Sequence, residues 1–410
     1  MNRNHTLRKY PAAIPAATLL LAALALDARA DAVTDWSDRS ADIVVEARLG
    51  TPPAIRVLAL VQTAVHDAVQ AVDRRHTGAG TGPAPSIDAA VAAASRATLL
   101  RLLPAQQASI DAAYRAALER IDDGAARSAG IAAGEEAAAA VLAQRAADRP
   151  SPAETYRPHT TAGAYVPTAA PAAPQWAQRP PWLMTSAAQF RPGAPPALAS
   201  DAWARDYAEV KALGSRASTQ RTAEQTQIAR FWEYSAPPIY LGVVRSVADA
   251  PGRTARQNAR LYAAVTQAMD DAMISVFDAK YHYGFWRPVT AIRNGDIDGH
   301  AATERDAGWV SLIDSPLHPE YPSAHSILAG AVATVLQAEV GKGPLPLLST
   351  ASPTAKGAVR RWGSLADFTS EVGDARVYSG IHYRTSTDAG AAMGREIGSL
   401  AVRKVLLAAD

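Results

Sequence analysis

Three short stretches hold the residue types that seat and transform a small oxyanion. The first is Lys280-Tyr-His-Tyr-Gly-Phe-Trp-Arg287-Pro288. Lysine and arginine seven positions apart on a helix lie two turns apart and face the same side. Pro288 ends or bends that helix beside them. An arginine fork binds an oxyanion bidentately, and a lysine acts as a point charge. The second stretch is His318-Pro-Glu-Tyr-Pro322-Ser323-Ala324-His325, which opens an apolar helical run. A helix amino terminus leaves backbone N–H groups unpaired and is a ready anion seat. The Ser323 hydroxyl and the Ser323 and Ala324 N–H groups are therefore candidate donors, and His325, in the first turn, is a candidate general acid/base. The third stretch runs from Arg376 through His382 to Asp388. It offers a third cation, a further histidine and a carboxylate able to fix that histidine's tautomer. Taken singly, the first reads equally well as a solvated basic face, and the second reads better as an ordinary capping histidine.

Residues nearly a hundred positions apart must be brought together, and the pattern says that helices do it. Apolar residues make up 48% of the 410-residue chain and aromatics only 6%. Alanine supplies nearly half of the apolar total, which favours closely packed helices over strands. Periodicity predicts helices near 87–103, 104–122 and 125–148, then over 254–280, after Pro322, and over 386–408. Thr222 and Gln225 are placed for a capping box. No internal repeat or alternating strand ladder is visible, so the expectation is all-α. His66-Asp67, adjacent on a helix, reads as a polar edge because neighbours face different directions. Eleven prolines between Pro150 and Pro196 preclude a long helix there. Trp176, Trp182, Met184 and Phe190 give that segment anchors, and favour an ordered wrap over a free linker. The organisation expected is an amino-terminal helical region (31–149), a Pro-rich segment (150–199) and a catalytic helical bundle (200–410).

In order and spacing the three stretches resemble the superfamily shared by vanadium-dependent haloperoxidases and type 2 phosphatidic acid phosphatases. Its motifs run Lys-x6-Arg-Pro, then Pro-Ser-Gly-His, then Arg-x5-His with an acid downstream. Lys280 to Pro288 meets the first, and Arg376 with His382 keeps the spacing of the third. Pro322 to His325 meets the second except that Ala324 stands where glycine is usual. The resemblance is strongest from about Phe231 onward and extends faintly to the helix around His66. It implies a helical-bundle fold of the haloperoxidase and acid phosphatase type, with one pocket that holds vanadate or a phosphoester. Lys280, Arg287, Arg376, Ser323 and Ala324 would cradle the anion. His382 would be the apical vanadium ligand or the phosphoryl acceptor, and His325 the acid/base. Ser386 replaces the usual acid four residues after His382, leaving Asp388 to serve from two positions further on. Glu233 would take the place of the acid that supports the last arginine. His318 matches a position where algal bromoperoxidases carry histidine and fungal chloroperoxidases phenylalanine.

The activity this resemblance implies is that of a haloperoxidase-like enzyme with vanadate as cofactor, acting on halide and hydrogen peroxide. The alternatives are a secreted acid phosphatase working through phospho-His382, with no cofactor, and a non-catalytic oxyanion-binding protein. Arg3, Arg8 and Lys9 precede an apolar stretch that ends in Ala28-Arg29-Ala30, the pattern of a secretory signal peptide spanning 1–30. Export to the periplasm or medium and no membrane attachment after cleavage are the expectations. With 41 basic and 39 acidic residues, no net field attracts nucleic acid, and homo-oligomerisation stays open. The lack of cysteine excludes disulfides, thiolate catalysis and cysteine-ligated zinc. Asn294-Gly-Asp296-Ile-Asp298-Gly299 starts like a calcium loop, but Arg305 sits where a bidentate acid belongs, so it reads as a turn.

Overall fold

The computed structural model describes residues 31–77, 84–146, 148 and 156–407, so the expected signal peptide lies outside the described residues. Thirteen α-helices are found among them. The amino-terminal five are α1 (Ala32–Glu46), α2 (Thr51–Thr77), α3 (Ile87–Leu102), α4 (Gln107–Leu118) and α5 (Ala125–Gln144). The remainder are α6 (Asp201–Gly214), α7 (Ala223–Phe231), α8 (Pro238–Ala248), α9 (Ala255–Tyr283), α10 (Pro288–Arg293), α11 (Ala324–Val340), α12 (Leu365–Tyr378) and α13 (Arg384–Ala401). Most starts carry a side-chain cap of the expected chemistry: Asp31, Ser86, Ser200, Ser323 and Ser364 each accept a backbone N–H of the first turn. Thr222 with Gln225 forms the expected capping box, and Thr254 with Gln257 forms another at the start of α9.

Small residues let the helices close up. A Cβ at Gly134 of α5 would lie 2.3 Å from the Ala90 carbonyl oxygen of α3, well inside van der Waals contact. The core is continuous from Val33 to Leu406, with α2 packed directly on α9. Helices α1–α5 thus share one apolar interior with α8, α9, α11, α12 and α13 rather than meeting them across a polar boundary. Helix α9 is the axis of that interior, buried along nearly its whole length.

Two features depart from the expectation. A hairpin, β1 (Leu348–Ser352) with β2 (Ala358–Trp362), pairs antiparallel with Leu348 opposite Trp362. The strands are short, and the alternate buried positions of β1 are Leu348, Thr350 and Ser352, two of them polar, so the sequence shows no readable apolar alternation. Helix α12, which carries Arg376, is not signalled by periodicity, because polar and small residues dominate its sequence. The last helix ends at Ala401 and is followed by a single π turn, Val402–Leu406.

The Pro-rich segment, described from 156 to 199, is irregular apart from one short turn at Trp176–Gln178, and it is pinned to the bundle. The Asp271 carboxylate of α9 accepts the backbone N–H groups of Trp182, Leu183 and Met184 at 2.7, 2.8 and 3.0 Å. The Trp182 indole donates to Asp270 at 2.7 Å, and Arg191 makes a two-bond pair with Asp278. Backbone groups of Gly163 and Tyr165 bond to Trp286 and Gly284. The segment therefore straps the face of the bundle on which Lys280 and Arg287 lie.

Candidate functional site

Lys280 is on the last turn of α9, which ends one residue after Tyr283 at Gly284. Gly284 adopts φ 57°, the left-handed conformation that closes a helix at little cost only for glycine. Arg287 is therefore not on the same helix as Lys280, contrary to the two-turn spacing expected. It is the residue that opens α10, whose first helical position is Pro288. The two cations still converge, because Phe285 and Trp286 between them are buried in an aromatic cluster with Trp203 and Tyr383.

Lys280 is fully buried, and its Nζ donates to the carbonyls of Pro319 and Glu320 at 3.0 and 2.8 Å. Arg287, 1% exposed, donates from Nε to the His318 carbonyl at 3.0 Å and from Nη1 to the Ile381 carbonyl at 2.8 Å. Its Nη1 also lies 3.3 Å from His382 Nε2, and its Nη2 lies 3.0 Å from His318 Nδ1. Arg287 thus joins all three stretches.

Ser323 caps α11, its hydroxyl accepting from the Ser326 N–H. Its own N–H, expected to be free, donates to the Ser386 carbonyl of α13 at 3.1 Å. The cause is the closeness of the two helices. Glycines recur every four residues on α13, and a Cβ at Gly390 or Gly394 would lie 2.5 or 2.2 Å from a backbone oxygen of α11. Among the described residues, the N–H groups of Ala324 and His325 meet no acceptor in the chain, so the anion-seating donors sit one position further along than expected.

Arg376, in the last turn of α12, is 3% exposed and donates from Nη1 to the Trp232 carbonyl, while its buried Nε has no partner. Glu233 does not bond to it; that carboxylate pairs with Arg230 at 3.0 Å. A main-chain carbonyl takes the hydrogen bond of this arginine, and Glu233 supports its charge only from a distance. His325 faces the carbonyls of Tyr234 and Trp232, and its Nε2 is buried without a partner. His318, on the loop before α11, packs edge-on against Phe277 at 5.3 Å.

Asp388 is exposed on α13 and makes no contact with His382. From six residues along, the helix turns its side chain away from the loop that holds the histidine. The carboxylate beside His382 belongs instead to Glu320, fully buried, whose Oε1 lies 2.6 Å from His382 Nδ1. In the sequence, Glu320 reads only as part of the turn before Pro322. The one signal pointing to it is that, Asp388 aside, it is the only acid in the three stretches.

Three buried cations thus gather around His382, and two of them, Lys280 and Arg287, share one buried carboxylate. Burial pushes Lys280 well below its usual range, and Arg287 and Arg376 down to about 10; the neighbouring arginines add to the effect on Lys280, and Arg287 to that on Arg376. Burial and then the neighbouring cations hold His318, His325 and His382 neutral, well below the ordinary imidazole value. Burial lifts Glu320 to about 7 even though Arg287 and Lys280 pull it down. Such an imbalance is the complement of an anion. The unpartnered Arg376 Nε, His325 Nε2 and Ala324 N–H are donors and acceptors that a tetrahedral oxyanion would satisfy. Among the described residues, no three His, Asp or Glu side chains gather as a cation site, so the donor set suits an oxyanion and not a bare metal ion. No helix among them is long and apolar enough to cross a membrane.

Comparison with known proteins agrees with this arrangement. The family described as the VCPO second helical-bundle domain matches residues 260–409, the span that contains all three stretches. A vanadium chloroperoxidase of Curvularia inaequalis is 29% identical over 141 residues, 28% of this chain. That match spans only 22% of the fungal protein's length. A solved bacterial vanadium-dependent iodoperoxidase superposes with TM-score 0.74, at 23% identity, over 92% of this chain and 96% of its own. A holo-type bacterial vanadium-dependent chloroperoxidase superposes with TM-score 0.68, at 19% identity, over 87% and 92%. Residues 260–409 thus match the vanadium chloroperoxidase helical-bundle family, and the structural likenesses extend the shared haloperoxidase fold to the amino-terminal helices and the strap.

Proposed function

We propose that this chain is a vanadate-dependent haloperoxidase-like enzyme that oxidises halide with hydrogen peroxide. The observation that carries the reading is the surplus of buried positive charge gathered around His382 Nε2. Lys280, Arg287 and Arg376, with the Ser323 hydroxyl and the Ala324 N–H, would hold vanadate, and His382 would bind it through Nε2. When bound, vanadate supplies Lewis-acid activation of hydrogen peroxide toward halide. His325, neutral and with Nε2 unpartnered, is the group able to accept a proton from hydrogen peroxide and return it later. His318, anchored on Arg287 Nη2, borders the seat without entering the cradle. The reading includes export, with cleavage after Ala30 making Asp31 the mature amino terminus.

The test is to purify the protein without vanadate, add orthovanadate, and follow peroxide-dependent bromination and iodination, with phosphomonoester hydrolysis in parallel. Vanadate-dependent halogenation is the expected result. Phosphatase turnover without halogenation would instead favour a phospho-His382 route, to which a neutral imidazole backed by a carboxylate is equally suited. Vanadate binding with neither activity would reduce the protein to an oxyanion binder.

A further inference from the structure

We infer that Glu320 is the positioning residue of this site, holding His382 as the Nδ1–H tautomer so that the Nε2 lone pair faces the anion seat. The inference rests on the oxyanion-seat reading above and assigns a role to a carboxylate outside the cradle.

The two ends of the imidazole agree on a single proton position. Arg287 Nη1, 3.3 Å from His382 Nε2, is a nitrogen that can only donate, so Nε2 must offer its lone pair. Glu320 Oε1, 2.6 Å from Nδ1, accepts when ionised, so Nδ1 carries the hydrogen. A protonated Glu320 donating to Nδ1 would leave a hydrogen on Nε2 pointing at the guanidinium, which the geometry opposes. The nearest other group is the Ser386 hydroxyl, 3.4 Å from Nδ1, too long to set the tautomer alone.

Glu320 is itself held on three sides. Its Oε1 also accepts the Tyr383 N–H at 3.1 Å, its own N–H donates to the Phe285 carbonyl at 2.8 Å, and its carbonyl accepts from Lys280 Nζ. One residue therefore orients the imidazole through its carboxylate and the lysine through its main chain. It lies three positions before Ser323, where α11 begins. The exposed Asp388 plays no part in this arrangement.

The position of Ser386, 3.4 Å from Nδ1, provides a test by relocation. A carboxylate moved to position 386 would approach the same nitrogen from α13. The experiment uses the full chain, labelled with 15N-histidine and free of vanadate, and reads the His382 ring nitrogens by long-range proton–nitrogen correlation. Orthovanadate affinity is measured separately by titration. Wild type is expected to show a protonated Nδ1 and a bare Nε2. Glu320→Ala should lose that fixed pattern and bind vanadate about 10- to 100-fold more weakly, the range seen when a ligand histidine loses its partner. Glu320→Ala combined with Ser386→Asp should recover the pattern and most of the affinity, which a merely structural role would not do. Glu320→Gln keeps an acceptor without the charge, so it should retain the tautomer with a smaller loss of affinity. It also serves if the alanine variant does not fold. A hydrogen on Nε2 in wild type, or unchanged tautomer and affinity in folded Glu320→Ala, would overturn the assignment. Normal vanadate binding and tautomer without halogenation would sink the haloperoxidase reading and leave this one standing.

Discussion

Helix α9 carries two buried charge clusters, one at its middle and one at its end, and they are built on opposite rules. At the middle, Arg56 of α2 bonds to Asp270 at 2.5 Å and pairs with Asp148. Arg145 and Arg179 stack on Trp182 and Trp176 nearby and feel the same aspartates, while Asp271 takes three backbone N–H groups of the strap. Three arginines there meet three aspartates. At the end of the helix, Lys280 and Arg287 share the one buried carboxylate of Glu320, and Arg376 feels, of the carboxylates, only the more distant Glu233. Burying charge is tolerated where it is compensated and costs several kcal/mol where it is not. The balanced cluster fastens the strap and amino-terminal helices to the bundle. The unbalanced one is kept at a cost in stability, and a site that binds an anion accounts for that cost.

This contrast is put at greatest risk by a change at Arg376. Arg376→Met should lower vanadate-dependent turnover by about 10²- to 10³-fold, the scale seen when one oxyanion donor is lost. In the anion-free protein the same change should leave the unfolding midpoint unchanged or raised, because it removes an uncompensated charge; a large drop in urea midpoint would contradict the imbalance. Arg56→Met should do the reverse. It strands Asp148 and Asp270 and should cost about 3–5 kcal/mol in urea unfolding while the folded fraction keeps its halogenation rate. A finer probe uses pH. Burial lifts Asp271 to about 6 against the pull of its three N–H donors, so the folded chain holds a proton there that the unfolded chain, near 3.8, has released. That carboxyl's contribution to stability therefore falls as pH rises from about 4 to 6, by no more than about 3 kcal/mol. Asp271→Asn lacks this slope. The wild-type minus variant stability difference should thus shrink across that window, and a difference that grows would refute the assigned direction.

The residues proposed for the cradle could be picked out because the chemistry needs particular types at particular spacings, and such spacing survives in one dimension. Lys280, Arg287, Ser323, Arg376 and His382 were all identifiable from the chain, and the structure brings their stretches together. The connections between them were not. Gly284 could be read as a helix interior or as its end, and only the packing of Phe285 and Trp286 decides between the two. Asp388 and Glu320 were both acids near a motif, and which one reaches His382 depends on how the turn before α11 lies across the start of α13. The capping box at Thr222 and Gln225 was readable because it is local. The β1–β2 hairpin was not, since its strands are stabilised by partners such as Gly242 of α8 and Phe231 of α7, far away in the chain.

The glycine row on α13 has a consequence for how this protein can change. Gly390, Gly394 and Gly398 have no side chains to trim, yet they set the gauge between the helix that begins beside His382 and the one that begins at Ser323. A single methyl at Gly394 would wedge the seam apart along its length, loosening the pocket from a distance without altering one reacting group. Drift in this protein is therefore as tightly restrained at its emptiest positions as at its charged ones.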